Sequence, residues 1–278
     1  MSLFYQIQNQ ILKKYIHHIS FNQFFTNNND FATVVPDGMT ELVINLGSQY
    51  ERKHGTSEVI KVKGSHFIGI KSSFCLVRPN NGMIAVSVRF KPGSVYLFTD
   101  VCLDETTDLV VDAELIFGRG IKQLEHEIGD LTGHKVIIEK IETFLLSKLL
   151  TNIRNQDFYT SIKHIYANPL FSRIEDIQPD TINYKRIDRE FNRKLGLPPK
   201  LFMRIVKFNY ASKLLYCCQN ESLCQIAYEA NYFDQAHFIR SFKEFAGILP
   251  KNYTHYRSPM FVINQDIINS QFTLRHAC

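Results

Sequence analysis

The chain has 278 residues, 45% of them hydrophobic, with 13% aromatic residues and a net charge of +5. That length and apolar content suit two cored domains and exclude a disordered or low-complexity polypeptide. No run of about 18 apolar residues occurs, which excludes a membrane-spanning helix, and MSLFYQIQNQILKKYIHH at the N-terminus lacks the apolar block and cleavage site of a secretory leader, so a cytoplasmic location is expected.

Residues 1 to about 110 read as short strands. PDGMTELVINLG (36–47) is a turn signal followed by Leu42, Ile44 and Leu46 in alternation. GSHFIGI (64–70), SFCLVRP (73–79) and GMIAVSVRFKPG (82–93) repeat the theme. In the last, Met83, Ala85, Ser87 and Arg89 alternate with Ile84, Val86, Val88 and Phe90. Such strands imply an antiparallel barrel or double-sheet roll. Phe67, Phe74 and Phe90 are read as core. From about 112 to 150 the period changes. Leu115, Ile116, Ile121, Leu124 and Ile128, then Val136, Ile137, Ile141, Phe144, Leu145 and Leu149, fit two helices separated at Gly129–Gly133. Periodicity alone leaves open whether these pack on the roll or on a second copy.

After about 151 the pattern is helical throughout. Helices are expected at 155–166, 174–177, 183–195, from Pro198-Pro199 to about Cys218, at 223–229, from Asp234 to Phe245, and at 251–256. Residues 259–278 carry no usable period. Of the six cysteines, Cys217, Cys218 and Cys224 cluster, but without zinc spacing, so buried free thiols are expected. Charge is uneven. Residues 1–150 hold 15 Lys and Arg against 16 Asp and Glu, and residues 151–260 hold 16 against 10. The cationic surplus sits with the helical half, where a phosphate-binding surface needs it.

The stretch SLCQIAYEANYFDQAHFIRSFKEF (222–245) carries the most information. Ser222 is a good N-cap, and Leu223, Ile226 and Ala227 share a helix face. Ala230-Asn231-Tyr232 breaks the period, and Asn tolerates positive φ at such a turn. Asp234 caps a second helix with Phe238, Phe242 and Phe245 inward, leaving Gln235, Ala236, Ile239, Arg240 and Lys243 outward. A second, similar unit covers Ile174–Leu195, with Ile187, Phe191 and Leu195 inward and Arg186, Arg189, Arg193 and Lys194 decorating it. The helix between them, bearing Arg204 and Lys207, would act as a spacer. Two such units can enter successive major grooves on one face of a duplex, about 34 Å apart. A helix-turn-helix by itself also occurs in proteins that never touch DNA.

RIDREFNRKLGLPPKLFMRIVKFNYASKLL (186–215) and IAYEANYFDQAHFIRSFKEFAGILPKNYTHYR (226–257) resemble the AraC/XylS-type transcription regulators. The matching positions are Tyr232, Asp234, Gln235, Ala236, His237, Phe238, Arg240, Phe242, Lys243, Gly247 and Pro250, with Asn231 where that family usually has Gly. VVPDGMTELVINLG, GSHFIGI and VSVRFKPGSVYLF resemble a poorly characterised cupin-like domain that precedes such regions. The resemblance implies an α+β multidomain chain. Residues 1–150 are a β jelly-roll with trailing helices, for effector binding or dimerisation. Residues 151–258 are an all-α DNA-binding domain with two helix-turn-helix motifs joined by a long helix, and 259–278 form a tail. It implies double-stranded DNA as partner, with a small-molecule effector, a homodimer through the N-terminal half, and RNA polymerase as further expected partners.

Base contacts are expected from Tyr184, Lys185 and Arg186 in the first unit and from Gln235, Ala236, His237 and Arg240 in the second. Gln pairs with adenine and Arg with guanine through two hydrogen bonds. His237 packing against the fold is the alternative for that residue. Arg189, Arg193, Lys207 and Lys243 are expected on phosphates, which set register and affinity but not sequence. No metal, cofactor or effector site is nominated, and no enzyme activity is expected. His66 stands alone, His54 falls in an expected loop, and His17-His18 precede the roll, so the convergent ligands of a cupin metal centre are not visible. A metalloenzyme, or a protein-interaction adaptor with a non-reading helix-turn-helix, are the alternatives.

Overall fold

Alternation in the strand Met83–Phe90 organises the N-terminal half, because it sends apolar side chains to both faces of one sheet. A computed structural model describes residues 2–25, 30–55, 57–149, 157–170, 184–218 and 220–253. The expected helix at 174–177 and the tail 259–278 lie outside them. The strands are β1 (Ser2–Tyr5), β2 (Ile16–Phe24), β3 (Ala32–Val34), β4 (Thr40–Asn45) and β5 (Tyr50–His54). They continue with β6 (Ile60–Val62), β7 (His66–Ile68), β8 (Cys75–Pro79), β9 (Met83–Phe90) and β10 (Val110–Asp112). They form a six-stranded sheet in the order β1-β2-β9-β4-β7-β10 and a four-stranded sheet in the order β3-β8-β5-β6. Every pairing is antiparallel.

Register fixes which side chains share a face. Val86 of β9 lies opposite Phe21 of β2 and Ile44 of β4, and Ser87 lies opposite Ser20 and Val43. The Val86 face joins Phe21, Ile44, Val88 and Phe90 to a core shared with helices α1 (Ala113–Phe117), α2 (Gly120–Gly129) and α3 (His134–Leu149). Each fully buried Ile, Leu or Phe there contributes roughly 1.5–3 kcal/mol before entropy is counted. The Ser87 face looks toward the smaller sheet, where Val43, Tyr50, Val62, Met83 and Ala85 make a separate cluster. Phe67 and Phe90 are core, as expected.

The segment 112–150 holds three helices, not two, because Gly118 takes a φ of 73° and ends α1 after five residues. Leu115, expected on the inward stripe, is consequently 68% exposed. His17 and His18 do not precede the roll but lie in β2, and His54 closes β5 instead of sitting in a loop. Cys217 and Cys224 are free but exposed, not buried as expected, and Cys218 is disulfide-bonded.

The helical half comprises α4 (Asp157–Ala167), α5 (Tyr184–Leu195), α6 (Pro199–Cys217), α7 (Leu223–Glu229), α8 (Gln235–Ala246) and α9 (Pro250–Tyr253). Its core, built on Phe191, Phe202, Phe208, Phe238, Phe242 and Phe245, also takes in Val35 and Ile70 from the strand-rich half. α4 forms the join. Tyr159 donates its hydroxyl proton to the Lys14 carbonyl at 2.6 Å, and Tyr166 donates to the Asp37 carbonyl at 2.9 Å. The Pro36-Asp37-Gly38 turn is where α4 docks. Gly38 has a φ of +74°, and a Cβ there would collide with the Tyr166 hydroxyl.

Candidate nucleic-acid interface

Ser222 and Gln225 satisfy each other's exposed amides at the start of α7. The Gln225 N–H donates to Ser222 Oγ at 3.2 Å, and the Ser222 N–H donates to Gln225 Oε1 at 2.9 Å. This reciprocal cap sets where the first helix of the pair begins. Its end is set by Asn231, which adopts a φ of +56°, the left-handed conformation expected of it. Asn231 Nδ2 donates to the Leu170 carbonyl at 3.1 Å, and Lys207 Nζ donates to the Asn231 carbonyl at 3.2 Å. A β-branched side chain cannot adopt this backbone cheaply. Asn231→Val is expected to lower stability by about 1–2 kcal/mol, read as a lower midpoint in thermal denaturation. An unchanged midpoint would remove the turn from the account.

Asp234 caps α8, its Oδ1 accepting from the His237 N–H at 2.6 Å. Phe238, Phe242 and Phe245 are fully buried, and the Phe208 ring of α6 lies 5.0 Å from Phe242 and 5.3 Å from Phe245, centroid to centroid. That packing fixes the rotation of α8, so its other face must point outward. Gln235, Ala236, His237, Arg240 and Lys243 are exposed there. Arg240 and Lys243 make no ion pair among the described residues. Arg204, by contrast, is held by Glu244 at 2.5 Å. His237 is exposed, yet its ring meets the Tyr232 ring edge-on at 5.4 Å, so it both faces outward and packs. Ile239 was expected outward and is instead half-buried against the core.

In the first unit, Phe191 and Leu195 are buried and Ile187 is half-buried, while Tyr184, Lys185, Arg186, Arg189 and Arg193 are exposed. Glu190 stands between Arg186 at 3.9 Å and Lys194 at 3.8 Å. Lys185, Arg189 and Arg193 line a cleft whose other wall is Cys102 and Asp104, beside a short 3-10 helix (Leu103–Thr106) of the strand-rich half. The Thr107 hydroxyl donates to the Gly196 carbonyl at 2.5 Å, pinning the end of α5 to the same segment. The two expected reading helices therefore differ: α8 opens to solvent, and α5 shares its cationic face with an acidic wall. Lys207 is half-buried, with its ammonium closing the Asn231 turn and its pKa lowered by burial.

Two outward groups went unnoticed in the sequence. Tyr228 is 81% exposed and Phe233 is 92% exposed, and they flank the turn that leads into α8. The signal was available, since Phe233 falls off the Phe238–Phe242–Phe245 stripe.

The strand-rich half holds a second polar constellation, buried between the sheets. Asp37, with no solvent exposure, pairs with Lys71 at 3.3 Å and with Arg89, and Arg89 reaches Glu41 at 2.8 Å. Burial lowers the pKa of Lys71, lowers that of Arg89 to about 10 and raises that of Glu41. Nearby, His66 bonds the Tyr50 hydroxyl at 2.9 Å and the Gly64 carbonyl at 2.8 Å, and burial above all takes its pKa down to about 4. Among the described residues, no three His, Cys, Asp or Glu side chains converge as metal ligands.

Residues 181–256 match the family model of a helix-turn-helix domain, and residues 9–112 match that of a domain of unknown function (DUF6597). No curated protein matches the chain. Solved structures of ToxT from Vibrio cholerae are similar to it in outline. An apo variant from strain SCE256 is 16% identical, with 85% of this chain and 97% of that one aligned, at a TM-score of 0.45. ToxT from strain O395 bound to (E)-4-(8-methylnaphthalen-1-yl)but-3-enoic acid is 13% identical over 87% and 99% of the two chains, at 0.46.

Proposed function

We propose that this chain is a DNA-binding transcription regulator of the AraC type, which reads duplex DNA in the major groove with α8 and engages a second groove with α5. One observation carries the assignment of α8. Its inner face is locked by three buried phenylalanines, and its outer face presents Gln235, His237 and two cations with no acidic partner among the described residues. A buried inner face with amide and guanidinium groups outside is the arrangement that reads base edges. Gln235 and Arg240 take bases, with Ala236 and His237 beside them. Lys243 takes a phosphate. Tyr228 and Phe233 add apolar contact at the rim, of the kind that meets a thymine methyl. In α5, Tyr184, Lys185 and Arg186 take bases and Arg189 and Arg193 take phosphates once the wall bearing Asp104 is cleared. Lys207 reaches a phosphate only by giving up the Asn231 carbonyl.

The same reading assigns 151–258 to DNA binding and 1–150 to effector binding or dimerisation, with RNA polymerase as a further partner. No helix among the described residues is long and apolar enough to cross a membrane. A phosphate contact is separable from a base contact by salt. Lys243→Ala is expected to weaken binding to selected and random duplexes alike and to reduce the slope of log K against log salt by about one unit. A loss confined to the selected duplex would reassign Lys243 to a base.

A further inference from the structure

The geometry points to four lysines at the join between the two halves, Lys13, Lys14, Lys91 and Lys163, as a phosphate-binding patch that grips the duplex backbone beyond the two grooves assigned to α5 and α8. This rests on the regulatory reading above and adds a third point of contact on the same DNA.

Three elements build the patch. Lys13 and Lys14 end a short 3-10 helix (Leu12–Lys14) and are exposed. Lys91 opens the Lys91-Pro92-Gly93 turn that follows β9, and Lys163 is exposed on α4. Hydrogen bonds and packing draw them together. Lys91 Nζ donates to the Lys13 carbonyl at 2.7 Å, and the Lys91 N–H donates to the Tyr15 carbonyl at 2.8 Å. The Tyr159 hydroxyl of α4 holds the Lys14 carbonyl, and the Lys163 ammonium lies 5.1 Å from the centre of that same tyrosine ring. Gly93 has a φ of +64° and sits so close to α4 that a Cβ there would meet the Ile162 side chain at 2.7 Å. Main-chain hydrogen bonds and a glycine contact therefore fix where all four lysines stand.

No acid answers these charges. None of the four lysines makes an ion pair among the described residues. The sequence shows why, since the segments that carry them, 1–29, 59–99 and 158–174, contain no Asp or Glu. Lys91 is half-buried, and its pKa is lowered by burial first and then by Lys13 and Lys163. Like charges held together repel one another, and a row of phosphates relieves that repulsion while releasing its own condensed counterions. A single small anion would neutralise part of the patch, whereas a polyanion meets all of it. The duplex is the polyanion this chain is built to engage, and α4 is fastened to the first reading unit. Phe158 of α4 meets Phe191 of α5 edge-on at 5.1 Å, and Lys194 of α5 lies over the Phe158 ring at 5.3 Å.

The test measures the full chain on two duplexes that share one selected site. One has about 22 base pairs, enough for two groove contacts, and the other carries about 15 further base pairs of random sequence on each side. The longer duplex is expected to bind about tenfold tighter at low salt, with a slope of log K against log salt steeper by about two to three units. Combining Lys13→Gln, Lys14→Gln and Lys163→Gln should leave binding to the short duplex as in the parent and abolish the gain from the flanks. Lys163→Glu alone should reduce that gain, which preserves the test if the triple variant does not fold. Thermal shift with inorganic tripolyphosphate is the arm for a free anion, and no saturable response is expected. The proposal is overturned by no gain from the flanks, by a gain that the variants keep, by equal losses on both duplexes, or by saturable tripolyphosphate binding that the triple variant abolishes. Binding to the short duplex reads the regulatory assignment by itself, so a failed patch stays distinct from a failed regulator.

Discussion

Arg240→Ala is expected to cost about 1–3 kcal/mol on a selected duplex, a loss of roughly 5- to 150-fold, and much less on random duplex. The expectation follows from the placement of the side chain. Arg240 is exposed on the outward face of α8, one turn beyond Ala236, and has no acidic partner among the described residues to hold it back. Its neighbour Arg204 is committed to Glu244 and lies over the Phe245 ring, so it does not substitute. Competition binding against both duplexes distinguishes the outcomes. Equal losses on the two would make Arg240 a phosphate contact, and no loss on either would turn α8 away from the groove.

Asp37→Ala is expected to be the most damaging single change to the strand-rich half, at about 3–5 kcal/mol. Asp37 is fully buried and is the acid that serves both Lys71 and Arg89. Its removal takes the ion-pair partner from Lys71 and leaves Arg89 with Glu41 as its ion pair among the described residues. Breaking a buried pair costs far more than the pair itself contributes, because the surviving charge stays desolvated. For a unit of this size the change corresponds to a fall of about 6–20 °C in the melting midpoint. Circular dichroism melts of the two proteins measure it. A midpoint within 2 °C of the parent would mean that water or Glu41 already compensates these cations, in conflict with their burial.

The C-terminal pair was legible because several local signals agree. Ser222 and Gln225 announce a cap, Asn231 a left-handed turn, Asp234 a second cap, and the phenylalanines a period of 3.6. The strands that carry apolar residues on both faces, such as β9, were legible for a similar reason. β2 and β5 were not. In β2, His18, Ser20 and Asn22 point into the cavity between the two sheets, so the inward side of the strand reads as polar. In β5, the run Tyr50-Glu51-Arg52-Lys53-His54 looks like a solvated loop, although Tyr50 and Arg52 are buried. The cavity escaped notice for the same cause. Its charged residues stand at 41, 52, 71 and 89, on three strands of the two sheets and in the connection after β7, and only the packing of sheet on sheet brings them together. The cleft between α5 and the segment holding Asp104 was equally invisible, since no local pattern encodes how two halves of a chain dock.

Selection of bound sequences from a random duplex library by the full chain tests the central claim most directly. The account predicts an enriched site with two conserved blocks whose centres lie about 10–10.5 base pairs apart, one block losing its conservation when Arg240 is replaced. A pool that shows no enrichment over random duplex, or one unaltered by Arg240→Ala, would contradict it.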